Sequence, residues 1–191
     1  MTKTALILDG RIDDDAMAAR VQESAATWLR GRAWDVRCHV LKELEIAPCM
    51  GCFGCWIQTP GECVIADAGR DVARGIVQSD LIVYLTPILF GGYSYELKKA
   101  IDRSIPIISP LFRKVKGEVH HKKRYDRYPN LVAIGWSPRL ADGEEDIFET
   151  VVRRNAINMH TKKAVSVVFR PGDDEEMSRR VEWALGEAVG K

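Results

Sequence analysis

The run DLIVYLT at residues 80–86 constrains the fold more than any other part of the sequence, because its apolar side chains hardly alternate with polar ones. A strand that is apolar on both faces must be covered on both faces, which is typical of a parallel sheet between two layers of helices. Similar apolar runs occur at residues 4–9, 131–135 and 164–169, and residues 34–41 (WDVRCHVL) mark a further strand. The sequence therefore predicts five strands of one parallel sheet.

Helical spacing of apolar residues occurs between and after these runs. It marks helices around residues 17–28, 72–77, 97–101, 147–152 and 177–188. Strands that alternate with helices through right-handed crossovers predict a doubly wound, three-layer α/β fold with the flavodoxin-like strand order 2-1-3-4-5. In such a fold the ligand crevice lies at the carboxyl ends of the first and third strands, where the strand order reverses.

The length of 191 residues fits one domain, 1–191, with a Cys-rich loop at 43–67 and an inserted basic loop at 104–130. The balance of 28 basic against 27 acidic residues argues against nucleic acid or an acidic membrane as a partner. The longest apolar stretch is about half of what a membrane-spanning helix needs, and the N-terminal apolar run is too short for a signal peptide. We expect a cytoplasmic protein whose five cysteines stay reduced.

Four cysteines in the loop after the second strand form the strongest motif of the chain. Cys49, Cys52, Cys55 and Cys63 have the spacing C-x2-C-x2-C-x7-C. Gly51 and Gly54 allow a tight curl of the backbone, and the turn signal Pro60-Gly61 returns Cys63 to the group. Four thiolates suit either a [4Fe–4S] cluster or an all-cysteine zinc site, and the paired short spacers favour the cluster. The alternative is a group of buried, unligated thiols, as we expect for Cys38 within its strand.

Several stretches together resemble a known family. IAPCMGCFGCW, TPGECVIAD, TPILFGGYSYELKKAIDR and HHKKRYDRYP are similar to the flavodoxin-fold NAD(P)H-dependent FMN reductases and, more closely, to the iron–sulfur flavoproteins. The resemblance runs from about residue 45 to about residue 136. It implies an FMN-binding, oligomeric redox protein, a dimer or a tetramer, in which the four cysteines hold a [4Fe–4S] cluster close to the flavin.

The segment after the third strand is the predicted wall of the flavin crevice. Proline stiffens such a loop and glycines let the backbone approach a flat ring closely; without the resemblance, an ordinary strand-to-helix turn is an equal interpretation. Trp136, after the fourth strand, falls on the same rim. The predicted residues are Thr86, Pro87, Ile88, Leu89, Phe90, Gly91, Gly92, Tyr93 and Trp136.

The first strand-to-helix loop is where the FMN phosphate is expected, because the amino end of a helix offers free N–H groups. The resemblance implies a loop with Ser, Thr and Arg, but residues 10–16 read GRIDDDA. We predict contacts from Gly10 and Arg11. The three aspartates suit helix capping, yet they would repel a phosphate dianion unless their side chains point outward.

The basic connection at 104–130 carries Lys, Arg and His interleaved with Tyr. We interpret it as a subunit contact, a dock for an acidic electron carrier, an attraction for a pyridine-nucleotide phosphate, or a solvated loop. The paired His120 and His121 lack the spacing of a metal site, and we take His39 and His160 as structural.

These observations predict an FMN-dependent oxidoreductase or electron-transfer flavoprotein, linked to NAD(P)H or ferredoxin, in which the cofactor supplies the chemistry and no side chain acts as a catalytic acid or base. No G-x-G-x-x-G follows a strand, so NAD(P)H would have to stack on the flavin as a co-substrate. The alternative function is a flavin-free module that uses the Cys loop for zinc binding or redox sensing.

Overall fold

The computed structural model describes residues 2–170 and 174–190, and its main sheet has the predicted topology. Five parallel strands pair in the order β2-β1-β3-β6-β7. Since β6 and β7 are the fourth and fifth strands of this sheet, the predicted order 2-1-3-4-5 is confirmed. The strands are β1 (Thr4–Asp9), β2 (Asp35–Val40), β3 (Leu81–Pro87), β6 (Asn130–Trp136) and β7 (Ala164–Phe169).

Helices cover both faces of this sheet, as the continuous apolar strands require. On one face, Leu6 and Tyr84 of the sheet belong to a core with Ile76 and Phe148. On the other face, Ile7 and its neighbours pack against the first and last helices. The helices are α1 (Ala16–Arg30), α2 (Gly54–Ile57), α3 (Ala68–Gln78), α4 (Tyr95–Asp102), α5 (Glu144–Asn158) and α6 (Asp174–Val189).

The connection at 104–130 is a β-hairpin rather than the basic loop that the sequence predicted. After a 3-10 turn at Ile105–Ile107, strands β4 (Ile108–Val115) and β5 (Glu118–Lys123) pair antiparallel. The turn between them has positive φ at Lys116 (50°) and Gly117 (87°), as a two-residue hairpin turn requires. Both strands are mostly exposed, so no apolar period marks them in the sequence.

The carboxyl ends of the central strands are aligned in register. Asp9 pairs with Leu85, and Pro87 pairs with Trp136, so β1, β3 and β6 end at one edge of the sheet. The loops that follow these strands therefore meet at this edge, where the strand order reverses. Over the described residues, no helix combines the length and apolar character needed to cross a membrane.

Candidate functional site

A cavity of about 680 Å³ opens at the carboxyl ends of β1, β3 and β6. We call it the crevice. Its walls come from the loop before α1, from the end of β3 with the loop that follows it, and from the loop after β6. Its lining residues are Ile12, Asp13, Asp14, Asp15, Ala16, Pro87, Ile88, Leu89, Phe90, Trp136, Ser137, Pro138, Arg139 and Glu144.

Buried hydroxyl groups fix the floor behind the crevice. The Thr86 Oγ1 accepts a hydrogen bond from the Ser94 N–H at 2.8 Å, and the Ser94 Oγ donates to the Gly10 carbonyl at 2.5 Å. Ser94 also caps α4, because its Oγ accepts from the Leu97 N–H at 3.2 Å. A Cβ on Gly10 would lie 2.6 Å from the Leu97 Cβ, so no side chain fits there. The ends of β1 and β3 and the start of α4 are thereby held together.

The loop after β3 forms a tight turn that raises one aromatic ring over the crevice. Leu89 and Gly92 exchange backbone hydrogen bonds of 3.1 and 2.8 Å, which leaves Phe90 and Gly91 at the tip. Phe90 has a φ of 52° and is 95% exposed. A bulky residue in the left-handed region is uncommon, and an exposed aromatic ring at a cavity mouth has a face free for a planar ligand.

The predicted flavin residues divide between the wall and the structure behind it. Pro87, Ile88, Leu89, Phe90 and Trp136 line the crevice. The others lie behind this wall or beside the tip of the turn: Gly10, Arg11, Thr86, Gly91, Gly92 and Tyr93.

Tyr93 belongs to the hydrophobic core on one face of the sheet and does not line the crevice. It is 9% exposed, its ring meets Tyr84 and Phe148 edge to face, and its hydroxyl accepts from the Asn155 Nδ2 at 3.2 Å. Burial raises the pKa of Tyr93 to about 12. Its hydroxyl thus stays protonated at neutral pH.

The loop after β6 contributes lining residues that the sequence analysis did not name. Ser137, Pro138 and Arg139 follow Trp136 directly, and Glu144 begins α5. The signal that could have found them is their position at the carboxyl end of a strand beside the predicted crevice.

The loop before α1 does not present a free phosphate cradle. Asp15 caps the helix: its Oδ1 accepts from the Met17 N–H at 2.8 Å and from the Ala18 N–H at 3.4 Å. Its Oδ2 accepts from the Trp136 Nε1. The Asp15 carboxylate therefore points into the structure and does not turn outward.

Two basic side chains near this loop are already paired. The Arg11 guanidinium binds the fully buried Asp9 carboxylate, and this hydrogen bonding raises the pKa of Arg11. Lys42 pairs with the exposed Asp14 at 2.6 Å and lowers the pKa of that carboxyl. The sequence predicted that Arg11 offsets the negative charge of the three aspartates, but its guanidinium is instead paired with Asp9.

The fit to a flavin differs between the two ends of the crevice. The end at residues 87–90 and Trp136 is largely apolar and suits an isoalloxazine ring. At the end formed by residues 12–16, carboxylates stand where a phosphate dianion would be placed. The residues present fit the ring and do not fit the phosphate.

A second cavity, of about 210 Å³, lies at the Cys loop and is lined by all four cysteines of the motif. We call it the cysteine cavity. Gly51 has a φ of 65°, as the predicted curl requires. The second left-handed residue is Phe53 (56°) rather than Gly54, which instead begins α2 and has no room for a side chain against Val64. Gly61, at a φ of 95°, donates to the Cys55 carbonyl and closes the return turn.

The walls of the cysteine cavity are mostly apolar and its thiols form no disulfide. Besides the cysteines it is lined by Met50, Gly51, Phe53, Ile65, Asp102, Arg103, Ile105 and Pro106. All five cysteines are free thiols. Burial raises the pKa of Cys55, and the neighbouring thiols of Cys63, Cys49 and Cys52 act in the same direction. All four of these cysteines line the same cavity.

A buried ion pair closes the base of the Cys loop. Arg103, 1% exposed, forms a two-pronged contact with the Asp67 carboxylate at 2.7 Å for each bond and also donates to the carbonyls of Ala47 and Ile65. Burial tends to raise the pKa of Asp67, but hydrogen bonds from Arg103 and from the N–H groups of Ala47 and Gly69 outweigh it and lower that pKa. Both ends of the loop are therefore tied to α4.

The donor geometry bears on both metal interpretations. Across residues 2–170 and 174–190, no three His, Cys, Asp or Glu side chains converge closely enough to hold one metal ion. The arrangement thus gives no support to an all-cysteine zinc site. A [4Fe–4S] cluster asks for something different, since each thiolate binds its own iron and the sulfurs surround a larger body. The four cysteines share one cavity, which is the observation that bears on this requirement.

Comparison with known proteins agrees with the fold and places the chain in a family. Residues 5–123 match the model of the NADPH-dependent FMN reductases, so the chain belongs to that family. A curated relative is an iron–sulfur flavoprotein of Methanocaldococcus jannaschii, 36% identical over 67 residues, which are 35% of this chain and 34% of that protein. The match thus spans about a third of the relative's length.

Solved structures share the fold at low sequence identity. The NAD(P)H:quinone oxidoreductase from Methanothermobacter marburgensis superposes with a TM-score of 0.72 at 15% identity and covers 100% of this chain and 98% of its own. An FMN-dependent NADH-azoreductase from Bacillus anthracis, in complex with FMN, has a TM-score of 0.69 at 14% identity, with 96% and 97% covered. These similarities confirm the flavodoxin-like fold.

Proposed function

We propose that the protein is a flavin-dependent NAD(P)H oxidoreductase of the FMN reductase type, with the isoalloxazine ring in the crevice. The observation that carries the proposal is an open, partly apolar cavity of about 680 Å³ at the point where the strand order reverses. Membership of the NADPH-dependent FMN reductase family supports it. The azoreductase that superposes on the chain is described as a complex with FMN, which also supports it.

The protein's own contribution is to position and shield the ring. A flavin accepts a hydride from a nicotinamide and passes electrons on one or two at a time. The Ile88 N–H donates to the Trp136 carbonyl at 2.7 Å, which locks the two sides of the wall to each other. Phe90 lies at the mouth, with a ring face free to pack on a planar ligand. We assign no acid or base to a side chain.

Anaerobic titration tests this function directly. Purified protein with added FMN or riboflavin is mixed with NADH or NADPH, and the flavin absorbance is followed as it bleaches. We expect reduction at a rate that depends on protein concentration. No protein-dependent reduction with either flavin and either nicotinamide would refute the proposed function.

A matched pair of variants tests whether the flavin binds in the crevice. Phe90→Asn removes the ring while tolerating the left-handed backbone, and we expect flavin affinity to fall by about two- to tenfold, the worth of one aromatic contact. Trp183→Ala removes a half-exposed aromatic residue from α6, outside the crevice lining, and should leave the affinity unchanged. Equal losses in both variants would argue against the crevice.

We further propose that Cys49, Cys52, Cys55 and Cys63 hold a [4Fe–4S] cluster as a one-electron partner of the flavin. Their shared cavity, free thiols and short spacers support this. Protein purified without oxygen is assayed for iron, acid-labile sulfide and zinc. We expect about four irons and four sulfides per chain, reduced strongly by Cys55→Ser and not by Cys38→Ser. Zinc without sulfide would refute the cluster.

The exposed apolar face beside the cysteine cavity supports an oligomer. A row of ring contacts runs from Phe53 through Trp56 and His121 to Phe112, with centroid separations of 5.3, 4.8 and 4.7 Å. Phe53 and Phe112 remain 54% and 60% exposed. We propose that this face contacts another copy of the chain.

We also propose a reducing, cytoplasmic location for the protein, which its free thiols support.

A further inference from the structure

The end of the crevice at α1 is filled by the chain's own carboxylate. Asp15 accepts the N–H groups of Met17 and Ala18 and the Nε1–H of Trp136. These are donors that a phosphate at this helix end would need. Trp136 also lines the crevice at the ring end, so the same residue connects both ends of the cavity. A phosphate placed here would have to compete with a carboxylate that is already bonded.

The charge around this end adds to the obstruction. Asp13 and Glu144 also line the crevice, and Arg139 is the basic residue among the lining side chains that the structure describes. Arg11 does not offset these acids, because it is bound to the buried Asp9. A phosphate monoester carries roughly two negative charges at neutral pH. Its approach brings like charges together without a free cation from this loop.

We propose that the crevice recognises a flavin by its ring and discriminates against the 5′-phosphate, so that neutral riboflavin binds more tightly than FMN. Asp15 is the residue that sets this preference. The inference rests on the proposed flavin function and narrows its ligand class to flavins with an uncharged side chain. FMN still enters through its ring, but the phosphate opposes its binding.

Fluorescence titration of riboflavin and FMN with the full chain tests the preference. We expect the Kd of riboflavin to be at least about fivefold lower than that of FMN at low salt, the effect of one like-charge contact near water. Salt screens such repulsion. The Kd of FMN should therefore fall as salt is added, while the Kd of riboflavin stays constant.

Asp15→Asn tests the assigned residue, because asparagine still caps a helix but carries no charge. We expect the preference for riboflavin over FMN to shrink by about fivefold in this variant, mostly through tighter FMN binding. Asp71→Asn is the matched control: Asp71 is an exposed first-turn acid of α3 that pairs with Arg74 away from the crevice. It should leave the ratio of the two Kd values unchanged.

The outcomes separate this inference from the function on which it rests. FMN binding as tightly as riboflavin, or more tightly, would overturn the inference and leave the flavin function standing. Binding of neither flavin would overturn both. An FMN affinity that weakens with salt would reveal an attractive phosphate contact and would also overturn the inference, without any variant having to fold.

Discussion

Replacing Arg103 by Met should destabilise the protein and open the Cys loop. Arg103 donates four hydrogen bonds, two of them to Asp67 and one each to the carbonyls of Ala47 and Ile65. Loss of one partner of a buried ion pair costs about 3–5 kcal/mol. Asp67 keeps its bonds from the N–H groups of Ala47 and Gly69 and lies partly open to solvent. We therefore expect the lower end, about 3 kcal/mol.

Urea denaturation of the reduced protein, followed by circular dichroism, measures this loss. Labelling with a thiol reagent gives the local effect, because the buried Cys55 should react faster when the loop base loosens. Arg103→Lys keeps the charge but has no planar fork, so its loss should lie between that of the wild type and that of Arg103→Met. A loss below about 1 kcal/mol in Arg103→Met would refute the reasoning, since that is the worth of an exposed pair.

Three further predictions concern the floor, the core and the apolar face. Ser94→Ala removes the bond that ties the Gly10 carbonyl, after β1, to the start of α4 and the bond that caps α4, and should lower the unfolding free energy by about 1–2 kcal/mol and weaken flavin binding; unchanged urea curves would contradict this. Burial, and next the charge of Arg113, lower the pKa of His160 to about 4. Since an unfolded histidine titrates near 6.5, the contribution of neutral His160 to the unfolding free energy is fully present above about pH 6.5, declines as the pH falls toward 4 and is about 2 kcal/mol lower near pH 5. His160→Asn should lack this decline. Parallel curves of unfolding free energy against pH for the wild type and the variant would argue against this role of His160. Phe112→Glu should yield a smaller species in light scattering, whereas an unchanged mass would exclude the Phe112 face as the contact.

The fold could be predicted because its central strands β1, β3 and β6 are apolar on both faces. Runs such as residues 80–86 favour one arrangement, a parallel sheet between two layers of helices. The rule of right-handed crossovers then favours one strand order. The hairpin at residues 108–123 escaped prediction for the opposite reason. Its strands are mostly exposed, so no apolar period marks them. Only the Lys116-Gly117 turn carried a local signal.

The candidate site was only partly accessible from the sequence. The wall at residues 87–90 follows from the position after a buried strand. The ion pair between Arg11 and Asp9 could not be inferred from the sequence. Asp9 is there the last residue of an apolar strand, and nothing marks it as a buried charge that needs a partner. The bond between Asp15 and Trp136 joins residues 121 positions apart, and no spacing rule predicts it.

The two ends of the crevice lead to a last prediction, about how long a flavin stays bound. A ligand held at both ring and phosphate leaves slowly, because both sets of contacts must break together. Here Asp15 already fills the cradle, so the ring contacts at residues 87–90 must hold the flavin alone. We therefore expect FMN to separate from the wild-type protein on a desalting column and Asp15→Asn to retain more of it. Full retention of FMN by the wild type would mean that phosphate contacts exist which this arrangement does not provide.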